Sequence, residues 1–336
     1  MAPVSGEQAG QEAEALWYVG PERAEIRAEP IAPPRQGEVL VRALYGAVSR
    51  GTERLVFAGR VPETEHERMR GPNMGGAFPF PVKYGYAAVG RIEHGPAELI
   101  GKIVFALHPH QTVFTLPAEA VVPVPDAVPP RRAVLAANME TALNVVWDAA
   151  PGPADRIVVV GAGVIGSLVS RLCARLPGAE VTLVDVNPAR AALAPALDVS
   201  FALPQAAPVD CDIVVHASGA AIGLATSLRL AGDEALIVEA SWYGSQKIPV
   251  PLGGAFHSRR LRLVASQVGR VAPSHRPRWT HRRRLEAALA LLADPALDVL
   301  IAPAVDFRGL PARLPEILGP AGGVLCQLIR YPPAVD

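Results

Sequence analysis

The six residues Gly161-Ala162-Gly163-Val164-Ile165-Gly166 carry the most specific chemical signal in this 336-residue chain. They follow a β-branched run, Ile157 to Val160, and open an apolar-faced stretch, LVSRLCARL, that reads as a helix. In a strand–turn–helix context the first glycine permits the tight turn and the second lets the backbone approach a pyrophosphate. The third allows close packing of helix on strand, with the helix N-terminus facing the anion. Asp185 ends the next strand-like run, VTLVD, about 20 residues on, where a carboxylate accepts both hydroxyls of an adenosine ribose. An acid there repels a 2′-phosphate, so NAD is favoured and NADP is the alternative; Val186 shares the turn and Arg190 softens the preference. FAD uses the same fingerprint, usually near a chain's N-terminus, whereas here about 150 residues of β-rich pattern come first. A nicotinamide dinucleotide is therefore the expected cofactor.

The elements that must position this turn alternate in type. From Leu16 to Pro123 short runs such as EVLVRALYGAVS, YAAVGRIE, KIVFAL and QTVFTL are broken by Gly and Pro, which suggests an irregular β-barrel-like unit. The stretch from Val61 to Pro81 has little periodicity, is long for a connection inside a compact unit, and is a candidate cleft loop. RRAVLAANMETALNVVWDAA has apolar residues at helical spacing. Beyond it VTLVD, DIVVHASG and EALIVEASW alternate with Ala-rich helical stretches, the pattern of a parallel doubly wound sheet. RLRLVASQVG and an Arg-rich helix from about Trp279 to Leu292 follow, and the tail returns to short strands. These shifts divide the chain into a frayed tail (1–15), a first unit (16–150), a dinucleotide unit (151–292) and a return segment (293–336).

Half of the residues are apolar and 19% are charged, enough for a sizeable core. Balanced charge, 32 basic against 32 acidic residues, removes the broad positive field of a non-specific nucleic-acid binder. No apolar run is long enough for a membrane span, and Cys173, Cys211 and Cys326 are too dispersed for a disulfide framework. A cytoplasmic setting with a small-molecule substrate, and with neither nucleic acid nor membrane as partner, is expected.

The order of these units, together with VVVGAGVIG, DIVVHASG and KYGYAAVG, resembles the medium-chain dehydrogenase/reductase superfamily from Leu16 to Tyr331. GAVSRGTERLVFAGRVP followed by PFPVKYGYAAVG resembles its zinc-poor branch containing bacteriochlorophyllide hydroxyethyl dehydrogenase. The resemblance implies an α/β fold, with a β-rich GroES-like catalytic domain and a Rossmann doubly wound parallel-sheet domain. It also implies a homodimer joined through an edge strand of the nucleotide domain. It places Ala217, Ser218 and Gly219 beneath the nicotinamide ribose. Where the family's zinc enzymes supply Cys and His, this chain has Ser49 and Tyr86, and its first cysteine is Cys173, so the four-cysteine structural zinc lobe is missing. Serine and tyrosine are poor zinc ligands, which makes catalytic zinc unlikely, although Glu140 resembles the Glu ligand of polyol dehydrogenases.

Hydride transfer without metal still needs a group that moves a proton or polarises a carbonyl. Tyr86 is the first candidate, with packing in the barrel as its alternative. Glu140 and Thr141 lie in an apolar run, VLAANMETALNVV, where an acid calls for an explanation: a relay, a weak metal ligand, or an ion pair with an arginine. Glu53 is expected at the cleft edge beside Ser49, with a salt bridge as its alternative. His110 is a candidate substrate contact, as are Trp242, Tyr243 and His257, while the cluster Arg276, Arg278, Arg282, Arg283 and Arg284 reads as a solvated helix face, with an anion site as its alternative. The expected activity is alcohol–carbonyl interconversion. The alternatives are zinc-free enoyl or quinone reduction, and a dinucleotide-binding sensor that has lost catalysis.

Overall fold

The computed structural model describes residues 11–319 and 323–333. Strand Glu38–Val48 organises the first unit: its valines and alanines are buried, and its backbone pairs on both edges. It pairs antiparallel with Ala88–His94, Val113–Pro117 and Cys326–Arg330. Ile301–Asp306, Ile103–Ala106 and Val121–Pro123 complete a seven-stranded sheet. Strands from the end of the chain thus close a sheet begun near its start. A second sheet runs in the order Arg23–Ile31, Gln11–Gly20, Val82–Lys83, Gly75–Gly76. Here the expected tail needs correcting: residues 11–15 are paired strand with Ala13 and Ala15 buried, while residues 1–10 lie outside the described residues.

The second unit is a six-stranded parallel sheet in the order Ser200–Ala202, Glu180–Val184, Arg156–Val160, Cys211–His216, Ala231–Glu239, Arg262–Ala265. The chain winds outward from Arg156–Val160 to one edge, then crosses back beside that strand and winds to the other. The order therefore reverses between Arg156–Val160 and Cys211–His216, and a crevice opens beyond the carboxyl ends of these two strands, where such sheets bind ligands. With the β-rich antiparallel unit, this is the α/β architecture expected from the sequence.

Two expectations fail on packing. The segment from Val61 to Pro81 folds against the first unit: Val61, Met74 and Phe78 are buried, Asn73 donates to Leu107 O, and Arg70 donates to Gly76 O. Arg284 is no solvated residue. It is 1% exposed and binds Glu140 Oε1 at 3.0 Å, Asn144 Oδ1 at 2.6 Å and the carbonyls of Arg270 and Val268. This guanidinium ties helix Ala136–Ala149 to helix His281–Leu291, and five donors in a fixed fork let it satisfy several buried acceptors at once. Its removal strands a buried carboxylate. Replacing Arg284 by Met should lower unfolding free energy by about 3–5 kcal/mol, with part recovered when Glu140 becomes Leu as well, as read by urea denaturation.

Candidate active-site cleft

The floor of the cleft comes from the parallel sheet. Gly161 has φ +112°, and a Cβ there would stand 2.6 Å from the Ser218 nitrogen, so the turns after the two central strands touch through a glycine. A Cβ on Gly166 would overlap the Gly161 carbonyl, which fixes helix Val164–Cys173 close to its strand. Gly163 is different: nothing lies within 4 Å of a Cβ placed on it. It opens onto a cleft of about 300 Å³ lined on this side by Gly163, Val164, Ile165, Arg190, Ala217, Ser218 and Gly219. This bare backbone at a helix N-terminus is the cradle that a dinucleotide diphosphate requires. Asp185 accepts from the Ala162 and Asn187 amides, both at 2.8 Å, which holds its carboxylate beside the turn.

The facing wall comes from the first unit. Ser49, Arg50, Thr52 and Arg54 lie at the start of helix Arg50–Phe57, Tyr86 precedes strand Ala88–His94, and Asn138 and Thr141 come from helix Ala136–Ala149. Burial pushes the Tyr86 phenol up to about 12, and the nearby Glu53 charge adds to this, with the Ser49 and Thr52 hydroxyls opposing it. Tyr86 is therefore protonated throughout the neutral range. It can donate a hydrogen bond to a carbonyl oxygen, but it is no proton acceptor there. Arg50 donates to the carbonyls of Val324 and Gly319, and burial lowers its pKa, helped by the like charges of Arg54 and Arg190.

Ser49, Tyr86 and Thr141 line the cleft across from the glycine turn. Three other candidates do not. Glu53 is fully buried behind the wall, where it accepts from Tyr18 OH at 2.6 Å and from the Ser49 amide at 2.7 Å, with His110 Nε2 at 3.0 Å. His110 is likewise 0% exposed, so it contacts Glu53 and does not line the cleft. His108, its neighbour but one, stacks on Phe114, and burial drives its pKa down to about 3. Glu140 is the third correction: its pairing with Arg284 leaves it outside the lining, and burial still raises its pKa. Among the remaining candidates Trp242 lines the cleft, His257 lies exposed outside it, and Tyr243 donates to Glu239 Oε2 at 2.9 Å. Val186 is exposed in the turn after Glu180–Val184.

His216 and Glu239 were not singled out from sequence. They end adjacent parallel strands, and His216 Nδ1 lies 2.8 Å from Glu239 Oε2 while its Nε2 lies 2.6 Å from Ser218 Oγ. Burial pushes the Glu239 carboxyl upward, but the bonds from His216, Ser241 and Tyr243 outweigh it and leave its pKa lowered. The available signal was the repeated polar ending of two apolar strands, DIVVHASG and EALIVEASW.

Among the described residues no three of His, Cys, Asp and Glu converge as a metal-binding group. No protein-family model matches the chain. Solved structures with the same fold include L-idonate 5-dehydrogenase from Escherichia coli K-12, at 15% identity over 96% of this chain and 99% of that one, TM-score 0.78. An alcohol dehydrogenase from Escherichia coli CFT073, solved with NADH, is 16% identical over 96% and 100%, TM-score 0.75. A Sinorhizobium meliloti 1021 protein solved bound to NADP is 17% identical over 95% and 99%, TM-score 0.75. At these identities the likeness defines the fold: a GroES-like unit and a Rossmann unit joined across the cleft.

The open space at Gly163 generates a prediction. Gly163→Val should weaken NADH binding at least about tenfold, read by the fluorescence of bound NADH, while the melting temperature stays close to wild type because the new side chain meets only the cleft.

Proposed function

We propose that the protein is an NAD(P)-dependent oxidoreductase of the medium-chain type that interconverts an alcohol and a carbonyl on a small organic substrate without catalytic zinc. The observation that carries this reading is the juxtaposition of the bare Gly163 turn with Ser49, Tyr86, Asn138 and Thr141 across one cleft. The Gly163 and Val164 amides and the Arg50 guanidinium are suited to the diphosphate, and Asp185 to the adenosine ribose, which favours NAD. Arg190 lines the same cleft and keeps NADP open. When bound, a nicotinamide dinucleotide supplies a hydride acceptor or donor. Tyr86 then orients the substrate oxygen by donating to it, and Trp242 and Leu325 exclude water beside it.

The donor set argues against tight zinc. Ser49 and Tyr86 are weak ligands, burial holds the nearby Cys326 thiol protonated with its pKa pushed up to about 12, and Glu140 is committed to Arg284. One feature favours a second reading, reduction of a C=C bond conjugated to a carbonyl: among the described residues no carboxylate or imidazole lines the cleft directly. Hydride addition there asks less of a proton donor.

A homodimer joined along strand Arg262–Ala265 suits the free outer edge of that strand, where Val264 is 38% exposed. Light scattering during gel filtration should give twice the chain mass, and a clean monomer would remove the dimer. Among the described residues no helix is long and apolar enough to cross a membrane. The buried free thiols Cys173, Cys211 and Cys326 suit a reducing cytoplasm.

The decisive experiment titrates NADH and NADPH against protein purified without added metal, assays zinc, and follows absorbance with carbonyl and enone panels. NADH binding with turnover of carbonyls and no zinc is expected. Turnover of enones alone would select the second reading. Cofactor binding with no turnover would indicate a sensor, and about one zinc per chain would overturn the metal-free mechanism.

A further inference from the structure

We propose that Ser218, His216 and Glu239 form a proton relay that serves the cleft from the nucleotide-binding side. This rests on the oxidoreductase reading above and supplies what the facing wall lacks. Alcohol oxidation releases a proton, and Tyr86, held protonated, does not accept it. Among the described residues no carboxylate or histidine lines the cleft directly. His216 is one hydroxyl away.

The hydrogen bonds fix the direction of transfer. An ionised Glu239 only accepts, so the His216 nitrogen facing it, Nδ1, carries the ring proton. Nε2 is then a free lone pair, and Ser218, 2.6 Å away, donates its hydroxyl hydrogen to it. The Ala220 amide donates to Ser218 Oγ at 3.2 Å, leaving that oxygen one further acceptor site. Ser218 lines the cleft, whereas the His216 side chain is 0% exposed. A substrate O–H placed on Ser218 Oγ passes its proton to that oxygen as the serine proton moves to His216 Nε2. The C–H electron pair leaves as hydride for the oxidised nicotinamide, which is the oxidant. The resulting imidazolium stands against the Glu239 carboxylate, whose side chain is 15% exposed and gives the proton a way to solvent. Ser218 would be the catalytic residue, and His216 and Glu239 positioning residues that act through it.

The surroundings hold this chain rigidly. Helix Ala221–Leu230 packs so closely that a Cβ on Gly223 would overlap Ser218 Oγ and stand 2.6 Å from His216 Nε2. Strand Arg156–Val160 presents Val160 beside His216. The strand Ala231–Glu239 and the segment after it bring Glu239, Ser241 and Tyr243, with Tyr243 OH 2.9 Å from Glu239 and 3.3 Å from His216. Glu239 and Tyr243 are thus the titratable groups hydrogen-bonded around the ring.

Two readouts test the relay. In cofactor-free protein, the ¹⁵N signals of the His216 ring should show Nδ1 protonated and Nε2 bare, and Glu239→Gln should change that pattern. A ring that carries its proton on Nε2 overturns the relay without any substrate. In turnover, Ser218→Ala should lower kcat for alcohol oxidation at least about tenfold, and Ser218→Thr should restore much of it. The acid limb of the wild-type pH profile should shift to lower pH in Glu239→Gln. Limbs identical in wild type, Ser218→Ala and Glu239→Gln overturn the relay while leaving the oxidoreductase reading intact. Wild-type protein that binds no NADH overturns both, and His216→Asn is the second variant should Glu239→Gln not fold.

Discussion

The site depends on one close approach, that of the Gly161 backbone to the Ser218 amide. Adjacent parallel strands end together, and two turns can share that space only if one of them has no side chain. The contact makes a single floor from residues more than fifty positions apart in the chain. It carries the bare Gly163 turn on one side and the Ser218–His216–Glu239 chain on the other. A methyl group at Gly161 would push the two turns apart and separate the diphosphate cradle from the polar chain beside it.

The facing wall is held by buried charge. Glu53 gathers Tyr18, His110 and the Ser49 amide, and so fixes the start of the helix that presents Ser49, Thr52 and Arg54. Glu140 and Arg284 do the same for the helix that presents Asn138 and Thr141. Neither carboxylate meets the cleft. Each costs desolvation, which Glu53 offsets with three hydrogen-bond partners and Glu140 with its ion pair to Arg284, an arrangement that is strongly destabilised when one partner is lost. Chemistry is left to neutral groups in the first layer: hydroxyls, a phenol and a carboxamide.

This division explains which sequence readings survive. The glycine turn is local: six consecutive residues between a β-branched run and a helix determine its geometry almost unaided. The parallel sheet is likewise legible from apolar runs alternating with Ala-rich stretches, since a strand buried on both faces needs continuous apolar sequence. Val61 to Pro81 misleads because aperiodic, proline-rich sequence describes a loop laid against a core as well as a loop over a cleft. Residues 11–15 mislead in the opposite sense, for a strand with alternating acids and alanines, Glu12-Ala13-Glu14-Ala15, resembles a polar tail until a partner strand covers its alanines.

From the sequence alone come the dinucleotide turn and the alternation of elements around it. These are properties of neighbouring residues or of residue type. Tertiary structure decides what Glu53, His110 and Glu140 do, because a carboxylate in an apolar run is a proton carrier or a structural ion according to its partner. For Glu140 that partner, Arg284, is 144 positions away. It decides equally that His216 matters, since a histidine at the end of a buried strand gains a direction for its proton only when Glu239 on the next strand fixes one ring nitrogen and Ser218 takes the other.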